Sequence, residues 1–167
     1  PTEEVLTEIN LNFKDKTLQK IYDFQDKQNL DSLFSYFKHK DPTYRYAAVM
    51  AFGSIKDETV LDSLYPMLHD KIENVKMAAA YAIGQVGVAA DENKLIASFN
   101  AYDTLGQSKA NAAILEAIGK CGDEEMLNNL STISTYQYTD TVLLEGQAWG
   151  IYRFALRELI NRNGTEK

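Results

Sequence analysis

The chain predicts an all-α fold: about four helical hairpins stacked in a row and closed by one C-terminal capping helix. Three observations carry that prediction. Apolar residues recur at helical spacing through most of the 167 residues, prolines number only three, and no alternating β-branched runs occur. The tetrapeptide Leu-Asp-Ser-Leu occurs at 30–33 and again at 61–64, an interval of one hairpin. The triplets Ala51-Phe52-Gly53, Ala82-Ile83-Gly84 and Ala117-Ile118-Gly119 fall at the same place in three successive units.

Residues 1–16 are polar with scattered apolar positions (Val5, Leu6, Ile9, Leu11, Phe13) and read as a loose arm, or as a short helix laid against the first repeat. The repeats are expected at about 17–40, 41–71, 72–105 and 106–135, with the cap at 140–161 and a tail at 162–167. In the first, a helix carrying Leu18, Ile21, Tyr22 and Phe24 stops near Lys27, and Asn29 caps a second helix with Leu30, Leu33, Phe34 and Phe37. In the second, Asp41-Pro42 opens a helix whose stripe is Tyr44, Ala47, Ala48, Ala51, Phe52 and Ile55. Lys56-Asp57 makes the turn, and Val60, Leu61, Leu64, Met67 and Leu68 form the stripe of the partner helix.

In the third, Val75, Ala78, Ala79, Ala82, Ile83 and Val86 repeat the first stripe. A longer turn, Gly87 to Asp91, then leads to Leu95, Ile96, Phe99 and Tyr102. In the fourth, Ala113, Ile114, Ala117, Ile118 and Cys121 precede Met126, Leu127, Leu130 and Ile133. A polar linker, 134–140, leads to a last helix of about Thr141 to Asn161, with Leu144, Ala148, Ile151, Tyr152, Ala155, Leu156 and Leu159 as its stripe and Asn163-Gly164 as its stop. Leu144 and Ala148 correspond to Val75 and Ala79, so this helix looks like the first half of a fifth repeat: a terminal cap, or a chain that continues past Lys167. The recurrent glycine has a packing reason, because a small residue lets neighbouring helices approach closely despite a helix penalty of about 1 kcal/mol.

The net charge of −7 is spread along the chain. Acids outnumber bases seven to six over 1–40, ten to seven over 41–120 and seven to four over 121–167. Without clustered Lys and Arg, nucleic acid and an anionic membrane surface are disfavoured as ligands. No apolar run reaches the roughly 20 residues that span a bilayer. The single Cys121 rules out an internal disulfide and leaves the redox compartment open.

The pattern D-P-x-x-R-x-x-A-A-x-A-x-G, with Asp57 in the following turn, is read on Asp41, Pro42, Arg45, Ala47, Ala48, Ala51 and Gly53. Together with Val75, Lys76, Ala79, Ala82, Gly84 and Gly87, and with Ala113, Ala117, Gly119, Gly122 and Asp123, it resembles HEAT-like repeats. It is most similar to the short alanine-rich type named after phycobilisome bilin lyases. The resemblance implies a right-handed α-solenoid whose second helices line a concave, protein-binding face. It also implies two alternatives to a non-catalytic scaffold: a bilin lyase or lyase subunit, and the scaffold domain of a larger enzyme such as a bacterial peptidyl-prolyl isomerase.

No catalytic constellation, metal set or cofactor motif emerges. His39 and His69 sit at ends of second helices, where a cation suits the helix dipole, and are not at ligand spacing. Cys121 falls on an apolar stripe, which makes it a core residue; a chromophore-handling thiol would need exposure and a lowered pKa. The partner is expected to be a protein, held on the second-helix face by Asp31, Phe34, Lys38, Asp62, Tyr65 and His69; Phe34 and Tyr65 are equivalent in successive repeats and read either as an aromatic row for binding or as rings packed between adjacent second helices. Trp149, Arg153 and Arg157, four residues apart on the last helix, form a possible second docking strip, or a Trp packed on the preceding repeat under arginine stems.

Overall fold

A computed structural model describes residues 7–87, 90–99, 108–132 and 140–165. The positions Val5, Leu6, Tyr102, Ile133, the linker 134–139 and the side chain of Leu159 lie outside the described residues. Among the described residues every regular element is helical. The first helices of the hairpins are α1 (Lys16–Asp26), α3 (Pro42–Ile55), α5 (Glu73–Val86) and α7 (Ser108–Cys121). The second helices are α2 (Leu30–Phe34), α4 (Leu61–Leu64), α6 (Glu92–Ser98) and α8 (Glu124–Thr132), and α9 (Thr141–Thr165) closes the row. The helices α1, α3, α5, α7 and α9 pack one on the next in chain order, so the molecule is an α-solenoid.

Local chemistry explains most boundaries. Asp15, Asn29, Asp41 and Asp57 each accept backbone amides at a helix start, and Pro42 occupies the first turn where its missing N–H costs nothing. Lys56 takes the left-handed conformation, φ 55°, which ends α3 and makes the Lys56-Asp57 turn. Gly87 ends α5 in a different positive-φ conformation, φ 79° and ψ −135°, which its lack of a Cβ allows. The core is continuous from Leu18 and Ile21 through Phe52, Leu64, Ile83 and Leu95 to Ile114, Leu115 and Leu130, all 0–2% exposed.

Four expectations need correction. The second helix of repeat two is not one helix. It is a 3-10 turn (Glu58–Val60), the four residues of α4, and a second 3-10 stretch (Tyr65–His69). Pro66 stands at the start of that last stretch, where it cannot donate to the preceding turn. Ile96, assigned to the stripe of α6, is 38% exposed, and Leu95 alone fills that place in the core.

The stripe of α9 is also different. Leu144, Tyr152 and Leu156 are 36%, 51% and 37% exposed, and Ala148 and Ala155 are exposed too. The buried face is Leu143, Gly146, Gly150 and Phe154. The reason is positional. An interior first helix is covered from both sides, whereas α9 is covered by α7 and α8 on one side only, so residues matching the buried Val75, Ala79 and Ile83 meet solvent. Helix α9 also runs through Asn163-Gly164 instead of stopping there.

Candidate functional site

Successive repeats are locked together by side chains that reach into the neighbouring unit. Arg45 is 5% exposed and clamps Asp70 with two bonds, Nε to Oδ2 at 2.7 Å and Nη2 to Oδ1 at 2.9 Å. Its Nη1 donates to the His39 carbonyl at 2.7 Å, and Asp70 Oδ1 also accepts the Ile72 amide. One guanidinium thus ties the exit of the first hairpin to the exit of the second. Further along, Glu73 accepts the Lys109 and Ala110 amides at the start of α7, and Glu92 accepts the Asp123 amide before α8. Arg157 donates to the carbonyls of Lys120 and Gly122 at the end of α7. These links use up carboxylates and arginines that a sequence alone presents as surface charge.

Within this frame the second-helix residues take distinct places. Phe34 is half-buried, its ring stacked on Phe52 at 5.0 Å and edge-on to Phe37 at 5.4 Å, so it shows solvent only an edge. Asp31 and Lys38 are exposed. Tyr65 is half-buried; its hydroxyl accepts the Asp91 amide at 2.6 Å, and burial raises its pKa. Lys94 stands over the Tyr65 ring, 4.3 Å from the centroid, and bonds Asp62 at 3.0 Å. That bond raises the lysine's pKa. His69 is exposed, with Nε2 3.4 Å from the Ser98 hydroxyl. The structure therefore brings together Asp62, Tyr65 and Lys94, with His69 and Ser98 on the same pair of repeats, and seats Phe34 against the core. Lys94 escaped the sequence reading because its partner lies 32 residues back.

On α9 the aromatic cluster is Trp149, Tyr152 and Arg153. The guanidinium lies 5.2 Å from the Trp149 ring centroid and 5.9 Å from that of Tyr152, while its Nε bonds Glu116 at 2.9 Å. Trp149 is 42% exposed and Arg157 points back to α7. The strip therefore divides: Trp149 faces out, Arg153 lies against its ring while bonding α7 through Glu116, and Arg157 is a splint to α7.

Cys121 is buried, and burial pushes its thiol up to about 12, so the thiolate is negligible at neutral pH. His39 accepts the Asp41 amide at Nδ1, 3.0 Å, and lies edge-on to Tyr44. Among the described residues no group of three His, Cys, Asp or Glu is placed to hold a metal ion, and no helix is long and apolar enough to cross a membrane.

No curated protein and no solved structure matches the chain. A family profile described as HEAT repeats matches residues 15–84 and 30–110, together more than half of the chain. Repeats of this kind commonly mediate protein–protein interactions. With the stacked hairpins, the match leads to one conclusion: the chain belongs to the HEAT-repeat family.

Proposed function

We propose that the protein is a non-catalytic scaffold that binds a protein partner on its second-helix face. The observation that carries this reading is the Asp62–Lys94–Tyr65 ladder. It is a charged, aromatic surface shared by two repeats, with Lys94 over the half-buried Tyr65 ring and Asp62 retaining 91% of its side-chain exposure. Tyr65, fixed by its bond with the Asp91 amide, gives that surface an ordered aromatic centre that loses little entropy on binding. Asp31, Lys38 and the edge of Phe34 extend it towards the first repeat, and His69 borders it. The alanine-rich second repeat is assigned to the bilin-lyase type of HEAT-like repeat on its sequence pattern. The protonated, buried thiol of Cys121 counts against lyase chemistry at that residue.

A second docking reading is favoured by the exposed Trp149 and Tyr152, with Arg153 against both rings, since Trp, Tyr and Arg dominate binding hot spots. Site-specific photo-crosslinking separates the two. A benzoylphenylalanine at Lys38 is expected to capture one discrete protein in source cells. Capture only from Tyr152 would move the site to α9, and capture from neither would end the scaffold reading.

A further inference from the structure

Among the described residues nine large apolar side chains are exposed, and five of them, Val142, Leu144, Trp149, Tyr152 and Leu156, stand on α9. The others are scattered: Tyr81 and Ile96 lie on α5 and α6, and Leu11 and Phe13 on the arm, which is held by the Asn10–Thr43 bond and the Phe13–Tyr22 stack. On α9, Val142, Glu145, Trp149, Tyr152 and Leu156 follow one another at intervals of three and four, the spacing of a coiled-coil seam. All five are exposed, on the side away from the buried Leu143, Gly146, Gly150 and Phe154. Ala148 and Ala155, also exposed, flank the seam and leave room for a second helix to come close. A contiguous apolar stripe of this kind marks a contact surface.

The charges beside this seam identify the occupant. Glu145 lies one turn before Trp149, whose indole N–H it accepts at 3.3 Å, and Arg153 lies one turn after, its guanidinium 5.2 Å from the indole centroid. Turned end for end about Trp149, the seam matches itself. Position 145 meets 153 and position 142 meets 156, acid to base and apolar to apolar. A parallel copy would instead set acid on acid and base on base, which costs binding. We propose that this face is the interface between two copies of the chain, with the α9 helices antiparallel and Trp149 at the two-fold axis. Arg153 bonds Glu116 through Nε, which leaves its terminal nitrogens to meet Glu145 of the other copy. Such a dimer rests on α9 being a docking face, as read above, and leaves the second-helix face open to a different protein.

The seam is about 21 Å long, so the dimer is expected at the weak end of specific contacts, dissociating in the micromolar range. Trp149 is the sole tryptophan. Its emission is expected to move to the blue as sedimentation shows monomer passing to dimer on concentration. Glu145→Arg and Arg153→Glu are each expected to weaken the dimer about tenfold or more, and their one-to-one mixture to restore it, because the mixed pair again sets acid against base at both contacts. Circular dichroism checks folding. If Arg153→Glu does not fold, Val142→Lys and Leu156→Glu, at exposed positions, serve the same mixing test. A monomer at every concentration would overturn the proposal. So would a dimer that neither substitution weakens, or one that both weaken with no recovery on mixing. Benzoylphenylalanine at Tyr152 is expected to yield a crosslinked species of twice the chain's mass. Capture there of a different protein without that species would overturn the second copy while keeping α9 as a docking face, and no capture of either kind would end both.

Discussion

The layer of first helices and the layer of second helices differ in what holds them. Helices α3, α5 and α7 are 14 residues each and bury nearly every inward side chain, whereas α2 and α4 have five and four residues, too short to form without neighbours. Backbone proximity fixes the first layer. A Cβ on Gly53 would stand 2.5 Å from the Tyr81 ring, one on Gly84 3.2 Å from Ala117, and one on Gly119 inside the backbone of Gly150. The second layer is held by apolar anchors, Leu33, Leu64, Leu95 and Leu130, each 0–2% exposed, and by caps at its helix starts, while outward positions such as Asp62 stand in solvent. Those outward positions tolerate change, which leaves them free to carry recognition.

The contrast can be broken first at the junction between the layers. Arg45→Ala, which leaves Asp70 buried without its partner, is expected to destabilise by about 3–5 kcal/mol in chemical denaturation. The double change Arg45→Met/Asp70→Leu should recover most of that, because it removes both charges. Gly119→Ala is expected to cost about 3 kcal/mol or more, since the backbone of α9 must move. Gly53→Ala should cost about 1 kcal/mol, because a side chain, Tyr81, can give way. Equal losses at the two glycines would mean that backbone proximity does not set the first layer.

Titration sharpens the comparison at both ends of the pH scale. Cys121, raised to about 12 by burial, binds its proton more tightly folded than unfolded. Its contribution is complete below the unfolded value and is lost as pH rises through the window to about 12. Stability should fall across that window in the wild type and less so in Cys121→Ala, and the thiol should resist a disulfide reagent until the protein unfolds. The capping carboxyls run the other way. The Tyr44 hydroxyl lowers the pKa of Asp15, and the Ser108 hydroxyl that of Asp140. Their stabilisation is present above the usual carboxylate range and disappears as pH falls below it. Glu92, raised by burial, opposes this just above that range. The melting temperature is expected to drop below about pH 4, less so in Tyr44→Phe. The smallest effect belongs to the second layer: Asp62→Ala should leave the melting temperature unchanged while removing crosslinking at the docking face.

Helix α9 shows where sequence reading stopped short. Its register was legible: Tyr81 lies over Gly53 and Gly150 over Gly119, the same 69-residue offset that matches Leu144 to Val75. Its burial was not. The pairs Val49-Gly53, Ala80-Gly84 and Leu115-Gly119 receive the next helix, and at the matching place α9 carries Trp149 and Arg153. Repeats two to four have glycine at the place of Arg153, and the first repeat has Tyr22. The Gly146-x-x-x-Gly150 spacing was the available sign that α9 turns this other face to α7.

The sequence by itself determined the helical period, the hairpin length, the caps at Asn29, Asp41 and Asp57, and the close approach at the glycines, because each depends on residues near one another in the chain or on a repeating interval. Only the tertiary structure decided which charges are structural, which aromatic rings face solvent and where the arm lies. Arg45 meets Asp70 across 25 residues, Lys94 meets Asp62 across 32, and the burial of α9 depends on what covers it. A periodic pattern says which face of a helix is apolar; the number of neighbours that face finally meets is set by its place in the stack.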